Sequence, residues 1–372
     1  MNSWSLRSFL ASREFKDGHP REPPMDHPRR QQHNRSSSRS NENRRKKNKK
    51  YGTTSKATLQ ERHKNTEIAY QERAMQRFAI QPSLTGIPDG LESIGHHELS
   101  LQTNPVSLEE EARVASFVVV KGEWGWIDGE RYEQVREFIS NSSMTIEQAL
   151  SLRKAILQEK SVYSHLIMQS MGAKMYAEYK KGTSVVELSK NFDFPPMNIF
   201  RTILERKGWS KSRIRDTLRE PSKFKERERK EFEEAEKADN VANVDQTERH
   251  QEADKFEDKI ADWFESKGIR LRRQPELVKE QVQEHGRSIN TPDILFLDHV
   301  VINGVPVAWI DAKHFYGADV RFQMKKTEKQ MKRYCDEWGS GAIMFSHGFS
   351  SNIYLPGVLM LDSTELGITL EA

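Results

Sequence analysis

Thr291-Pro292-Asp293 leads into Ile294-Leu295-Phe296-Leu297-Asp298-His299-Val300-Val301, then Ile302-Asn303-Gly304, then Val305-Pro306-Val307-Ala308-Trp309-Ile310 and Asp311-Ala312-Lys313. Asn-Gly between two β-prone runs predicts a hairpin of antiparallel strands. Side chains two apart on a strand share a face, so Asp311 and Lys313 point one way while Ala312 points into the packing.

The register decides whether Asp293 joins them. A two-residue Asn303-Gly304 loop pairs Ile302 with Val305 and sets Asp311 opposite Phe296, which leaves Asp293 on the wrong face. A three-residue loop, Ile302-Asn303-Gly304 with Gly304 left-handed, puts Asp311 opposite Leu295 and Asp293 diagonally beside it on the same face. Two aspartates that share a metal therefore need that loop or an equivalent bulge.

The residue types suit phosphodiester hydrolysis. That reaction uses a hard cation held by oxygen ligands, which polarises the phosphoryl oxygen and lowers the pKa of a bound water. Asp293 and Asp311 are the expected ligands of Mg²⁺ or Mn²⁺, and Lys313 is expected to orient the water and balance charge developing on phosphorus. A strand-end Asp with a snorkelling Lys is the alternative reading.

Thr291-Pro292-Asp293, Trp309-Ile310-Asp311-Ala312-Lys313, Gln330 and the segment from Gly339-Ser340-Gly341 to Gly348-Phe349 resemble the PD-(D/E)XK nuclease superfamily. The closer resemblance is to its TPD branch, which includes codanin-interacting nucleases and archaeal relatives. Asp311 stands where that branch often has Glu, a conservative departure. The resemblance implies an α/β restriction-endonuclease-like core at the C-terminus, Glu257 as a further metal carboxylate, Gln330 lining the active site, and a codanin-like protein partner. It extends, less specifically, over the helical region 174–221.

The whole chain is 31% charged and 35% hydrophobic over 372 residues, with room for two or three domains. It has no run of about 18 apolar residues that would span a membrane. A single cysteine, Cys335, excludes an intramolecular disulfide framework and a cysteine-based zinc cluster. Residues 1–50 hold fourteen Lys/Arg and five Asp/Glu, net +9 against +4 for the whole chain, so the remainder is net −5. The basic excess is densest at Arg44-Arg45-Lys46-Lys47-Asn48-Lys49-Lys50 and predicts a disordered tail over 1–55. Nuclear import is the functional expectation, beside a solubilising tail or, for Met1 to Phe15, an organellar presequence.

Residues 56–127 carry little pattern. A polar helix is expected over 57–78, His96-His97 reads as loop without ligand partners at metal-like spacing, and 116–125 reads as a strand or packing segment. From 128 to 220 the spacing turns helical, with Thr145 and Gln148 resembling a capping box. Val185, Val186 and Leu188 open a short helix, Asn191-Phe192-Asp193-Phe194 turns, and Pro195-Pro196 starts a second helix: helix-turn-helix spacing. Its polar face would offer Asn198, Arg201, Thr202 and Lys207 to DNA, whereas a small helical bundle is the other reading. The charged run within 221–250 predicts a solvated helix or linker.

The nuclease domain is then expected over 251–372. Phe256, Ile260, Trp263 and Phe264 form a helical stripe, with Glu257 at its edge, where a carboxylate needs a partner. Residues 320–338 read as a helix exposing Lys325, Lys326, Lys329, Lys332 and Arg333, a surface for DNA phosphates or a merely solvated face. The sequence thus predicts a metal-dependent nuclease acting on DNA, with structured or branched DNA as one substrate class. A nuclease-fold interaction module with a codanin-like partner in chromatin or histone supply is the alternative.

Overall fold

Asn303 and Gly304 both take positive φ, 50° and 76°, and Ile302 pairs with Val305, so the hairpin closes through a two-residue turn. The computed structural model describes residues 56–80, 94–242 and 247–367. The expected basic tail lies outside these residues.

The chain begins with α1 (Lys56–Ile80), β1 (His96–Leu99), α2 (Leu108–Val118), α3 (Gly129–Ile139) and α4 (Ile146–Tyr163). A helical unit follows, with α5 (His165–Lys181), α6 (Val185–Phe192), α7 (Pro196–Arg206), α8 (Lys211–Arg219) and α9 (Glu226–Lys237). The remainder alternates through α10 (Thr247–Ser266), β2 (Leu271–Arg273), α11 (Gln274–His285), β3 (Ile294–Ile302) and β4 (Val305–Lys313). It closes with α12 (Arg321–Trp338), β5 (Gly341–Phe345) and β6 (Val358–Asp362).

The six strands form one mixed sheet in the order β1-β3-β4-β5-β6, with β2 also on β3. The β2–β3 and β3–β4 pairs are antiparallel, whereas β1–β3, β4–β5 and β5–β6 are parallel. Strand β3 uses Ile294, Leu295 and Phe296 to pair with β2, then changes partner to β1 from His299 onward. At the change sits Asp298, buried, accepting hydrogen bonds from the backbone N–H of Arg270 at 2.8 Å and of Gly95 at 2.9 Å. Arg270 also donates its Nε to Asp298 at 2.9 Å. One carboxylate thus ties the two outer segments to the bend in β3.

The bend resets the register. Val300 pairs with Val307 but Leu295 pairs with Trp309, so five steps along β3 match two along β4, a slip of three residues. An odd slip exchanges the two faces of a strand. The expected three-residue loop is replaced by a two-residue turn plus this bulge, which does the same work for Asp293.

Helices cover both faces. On one, Phe256, Ile260, Ala261 and Phe264 of α10 pack against Ile310, Ala312 and Met344. On the other, Met331, Tyr334 and Cys335 of α12 pack against Trp309, Ile343 and Phe345. The preceding helices join this core through Val114, Val118, Leu152 and Ile156, which share a cluster with Tyr316, Ala318 and Val320. Glu159 of α4 accepts from the Phe322 N–H at 2.8 Å, placing a carboxylate at the start of α12 where unpaired amides and the helix dipole favour it.

Several local expectations change. His96 and His97 lie in β1, paired with β3, because the bend leaves that edge of β3 open. Residues 117 and 118 end α2, and the loop beyond is held by buried Arg153, whose guanidinium donates to the carbonyls of Val118, Glu123 and Gly125 at 2.8–3.0 Å. The charged run forms α9, which is half-buried, since Phe232 and Ala235 pack on the α5–α7 cluster and Glu231 accepts from the Val185 N–H at 2.7 Å. The capping box of Thr145 and Gln148 is present at the start of α4. Helix α11 had no counterpart in the sequence reading.

Candidate active site at the bulged hairpin

The slip in register brings the acidic residues together. Ile294 pairs with Ile310, and the same register carried one residue further sets Asp293 opposite Asp311. The Asp293 Oδ2 accepts from the Ala312 N–H at 2.7 Å, and its Oδ1 accepts from the Gln274 side chain at 2.8 Å. Lys313 forms an ion pair with Asp311, on the same face of β4 as expected from their spacing. Gln330 on α12 donates to Asp311 Oδ1 at 3.1 Å and lies 3.0 Å from the Tyr334 hydroxyl, which in turn donates to the Thr291 carbonyl at 3.1 Å. Glu257 comes from α10, the helix that covers the other face of the sheet, yet its carboxyl is close enough for the charges of Lys313 and Asp311 to act on it.

Electrostatics links all four charged groups. Burial and then the Asp311 charge push the Asp293 carboxyl well above the usual carboxylate range, against the pull of Lys313. Glu257 is pushed up to about 7, first by burial and then by Asp254, with Lys313 opposing and Asp311 adding. Burial by itself would lower the Lys313 ammonium, but Asp311 and Asp293 outweigh it and hold it above its ordinary value. Asp293 and Asp311 are 8% and 1% exposed, so solvent screens this cluster weakly.

Three carboxylates face one ammonium. A hard dication suits that donor set by charge and by its oxygen ligands. Each carboxylate oxygen has two lone pairs, so the hydrogen bonds made by Asp293 leave coordination capacity. Among the described residues, however, no three His, Cys, Asp or Glu side chains are gathered into a closed cation cage.

The expected DNA contacts divide. Lys325, Lys326, Lys329 and Arg333 are exposed on α12 and form no ion pair with a described residue, and Lys326 and Arg333 stand one turn either side of Gln330. Asn198 and Arg201 differ from these in that both side chains already have partners within the chain. Asn198 donates to Ser161 Oγ at 3.0 Å, and Arg201 donates to Asn198 Oδ1 at 3.1 Å and to the Ala242 carbonyl at 3.3 Å. Thr202 is buried and Lys207, though exposed, is paired with Glu228, so much of the polar side of α7 already has partners within the chain.

Sequence reasoning missed Gln274, whose side chain and N–H both bond Asp293. Nothing local marks it, because its role depends on α11 starting beside the aspartate. It also passed over His314 and His347, whose rings lie 5.5 Å apart just beyond the ends of β4 and β5. Burial holds both imidazoles below their ordinary pKa, and His314 stands 3.7 Å from Glu252. The position of His314 immediately after Lys313 was the available signal.

Residues 224–364 match the model of a family described as "Protein of unknown function TPD sequence-motif". An uncharacterized protein of Acanthamoeba polyphaga mimivirus is 29% identical over 116 residues, 30% of this chain and 40% of that protein. The chain thus matches less than half the length of that relative. No solved structure matches. No helix among the described residues is long and apolar enough to cross a membrane.

Proposed function

We propose that the chain is a metal-dependent nuclease with a restriction-endonuclease-like core of the PD-(D/E)XK type, acting on DNA. The observation that carries this reading is the buried cluster of Asp293, Asp311 and Glu257 against Lys313, assembled by an odd slip in the hairpin register. Like charges packed in a site that burial already disfavours are a cost to the fold, and such costs gather at functional sites.

Asp293 and Asp311 would hold Mg²⁺ or Mn²⁺, with Glu257 as a third carboxylate. The cation supplies polarisation of the phosphoryl oxygen and a bound water of lowered pKa. Lys313 keeps its proton, because Asp311 and Asp293 favour the ammonium, and so offers fixed positive charge where the phosphorane becomes more negative. Gln330 and Gln274 act as positioning residues, holding the rotamers of Asp311 and Asp293. The exposed lysines of α12 and Arg333 lie on the helix that carries Gln330, and would meet phosphates of a strand approaching the site.

Cleavage of single-stranded, duplex, flap and four-way DNA with Mg²⁺ or Mn²⁺, repeated with chelator, tests the proposal. The expected result is chelator-sensitive cleavage of at least one substrate, and absence of cleavage on all of them overturns it. One observation favours the second reading, a catalytically weak interaction module with a codanin-like partner: the carboxylates do not form a closed cage. Under that reading a pulldown retains the partner when Lys313 is replaced and no substrate is cut.

A further inference from the structure

Strand β1 pairs in parallel with β3 and sets His96 beside His299. Their Nδ1 atoms are 3.2 Å apart, and their rings are 5.0 Å apart at 59°. The Nε2 of His299 lies 2.6 Å from the Met75 sulfur on α1. His96 and Met75 are exposed, and His299 is half-buried.

A neutral imidazole has one N–H and one lone pair. In the tautomer that carries the His299 proton on Nε2, its Nδ1 presents a lone pair to His96. The slot between the two Nδ1 atoms then takes either a proton from His96 or a cation. Two imidazole nitrogens on a tetrahedral zinc ion, each at about 2.0–2.1 Å, are roughly 3.3–3.4 Å apart, close to the separation seen.

We propose that His96 and His299 form a second metal site, for a zinc-like cation of borderline softness, on the outer edge of the sheet. Two water molecules complete its coordination. The site is chemically distinct from the all-oxygen aspartate cluster and does not rest on the nuclease reading. Its effect is structural: His96 belongs to β1, His299 to β3 and Met75 to α1, so the bound cation fastens the segments that precede the helical unit onto the sheet.

The test uses the full chain stripped of metal. Calorimetric titration with Zn²⁺ is expected to count one site fewer in His96→Gln and in His299→Gln than in the wild type. The Zn²⁺-dependent rise in melting midpoint should shrink in both variants, since a ligand bound to the folded state alone stabilises it. Zinc taken up at the aspartates is common to all three proteins and cancels in the comparison. His96→Gln alters an exposed side chain, so its metal-free midpoint should match the wild type and separate lost binding from lost folding. Equal stoichiometry in all three proteins overturns the proposal, and so does a loss confined to one variant, because a shared cation needs both nitrogens.

Discussion

Two polar surfaces that look equally available in the sequence meet opposite fates. On α7, Asn198 and Arg201 bond to Ser161, to each other and to the Ala242 carbonyl, and Asp239 accepts from the Met197 N–H at 2.9 Å to close the same patch. At the hairpin, Asp293, Asp311 and Glu257 gather around a single ammonium. A polar group whose partners are all supplied by the chain serves the fold. A cluster of like charges that burial already disfavours is the place where a proton or, under the proposed function, a cation would be taken up.

The sharpest way to break this contrast is Lys313→Met, which keeps most of the stem and removes the charge. Cleavage should fall by roughly 10²–10³-fold, the scale for one preorganised electrostatic group, with circular dichroism unchanged. Asp311→Asn should also weaken the dependence on Mg²⁺, seen as a higher half-saturating concentration, because a charged ligand is lost. A wild-type rate in Lys313→Met would sink the mechanism.

A buried carboxylate away from the cluster provides the control. Glu111 of α2 is fully buried, accepts from Ser350 Oγ at 2.7 Å, and is pushed from 4.5 up to about 7, chiefly by burial. A raised folded pKa means that the folded state holds the proton more tightly. The stability it brings is complete below the unfolded value and is lost as pH rises through about 7. Glu111→Gln should remove that dependence and stabilise the protein at pH 8 by up to about 3 kcal/mol, checked by urea unfolding across pH.

On the helical side, Arg201→Met should cost about 2 kcal/mol of stability, through lost hydrogen bonds and a less balanced Asp239, while DNA affinity stays at the wild-type value. A fall in affinity at unchanged stability would restore α7 as a reading helix. The smallest effect is expected on α12. Neutralising Lys325, Lys326, Lys329 or Arg333 singly should weaken DNA binding similarly across sequences and make the salt dependence shallower by roughly one unit each. Unchanged slopes would assign those residues to a solvated face.

Much of the hairpin was legible because its signals are local. Asn303-Gly304 specifies a turn with positive φ, and the spacing of Asp311 and Lys313 specifies a shared face. The stripe from Phe256 to Phe264 and the helix over 321–338 follow from apolar periodicity. The bulge was anticipated only as one of two routes to the same face. Asp298, which lies within it, grips Arg270 and Gly95, residues 28 and 203 positions away and beyond the reach of any local pattern.

By itself, then, the sequence determined the turn, the strands beside it, and the shared face of Asp311 and Lys313, since each depends on neighbours within a few residues. Tertiary structure alone decided the rest. It set Gln274 on Asp293, gave Asn198 and Arg201 of α7 partners within the chain, and stood His96 against His299. The physical reason is the same in each case. A side chain's proton, charge and partners are settled by what the chain packs against it from far away, and periodicity carries no record of that.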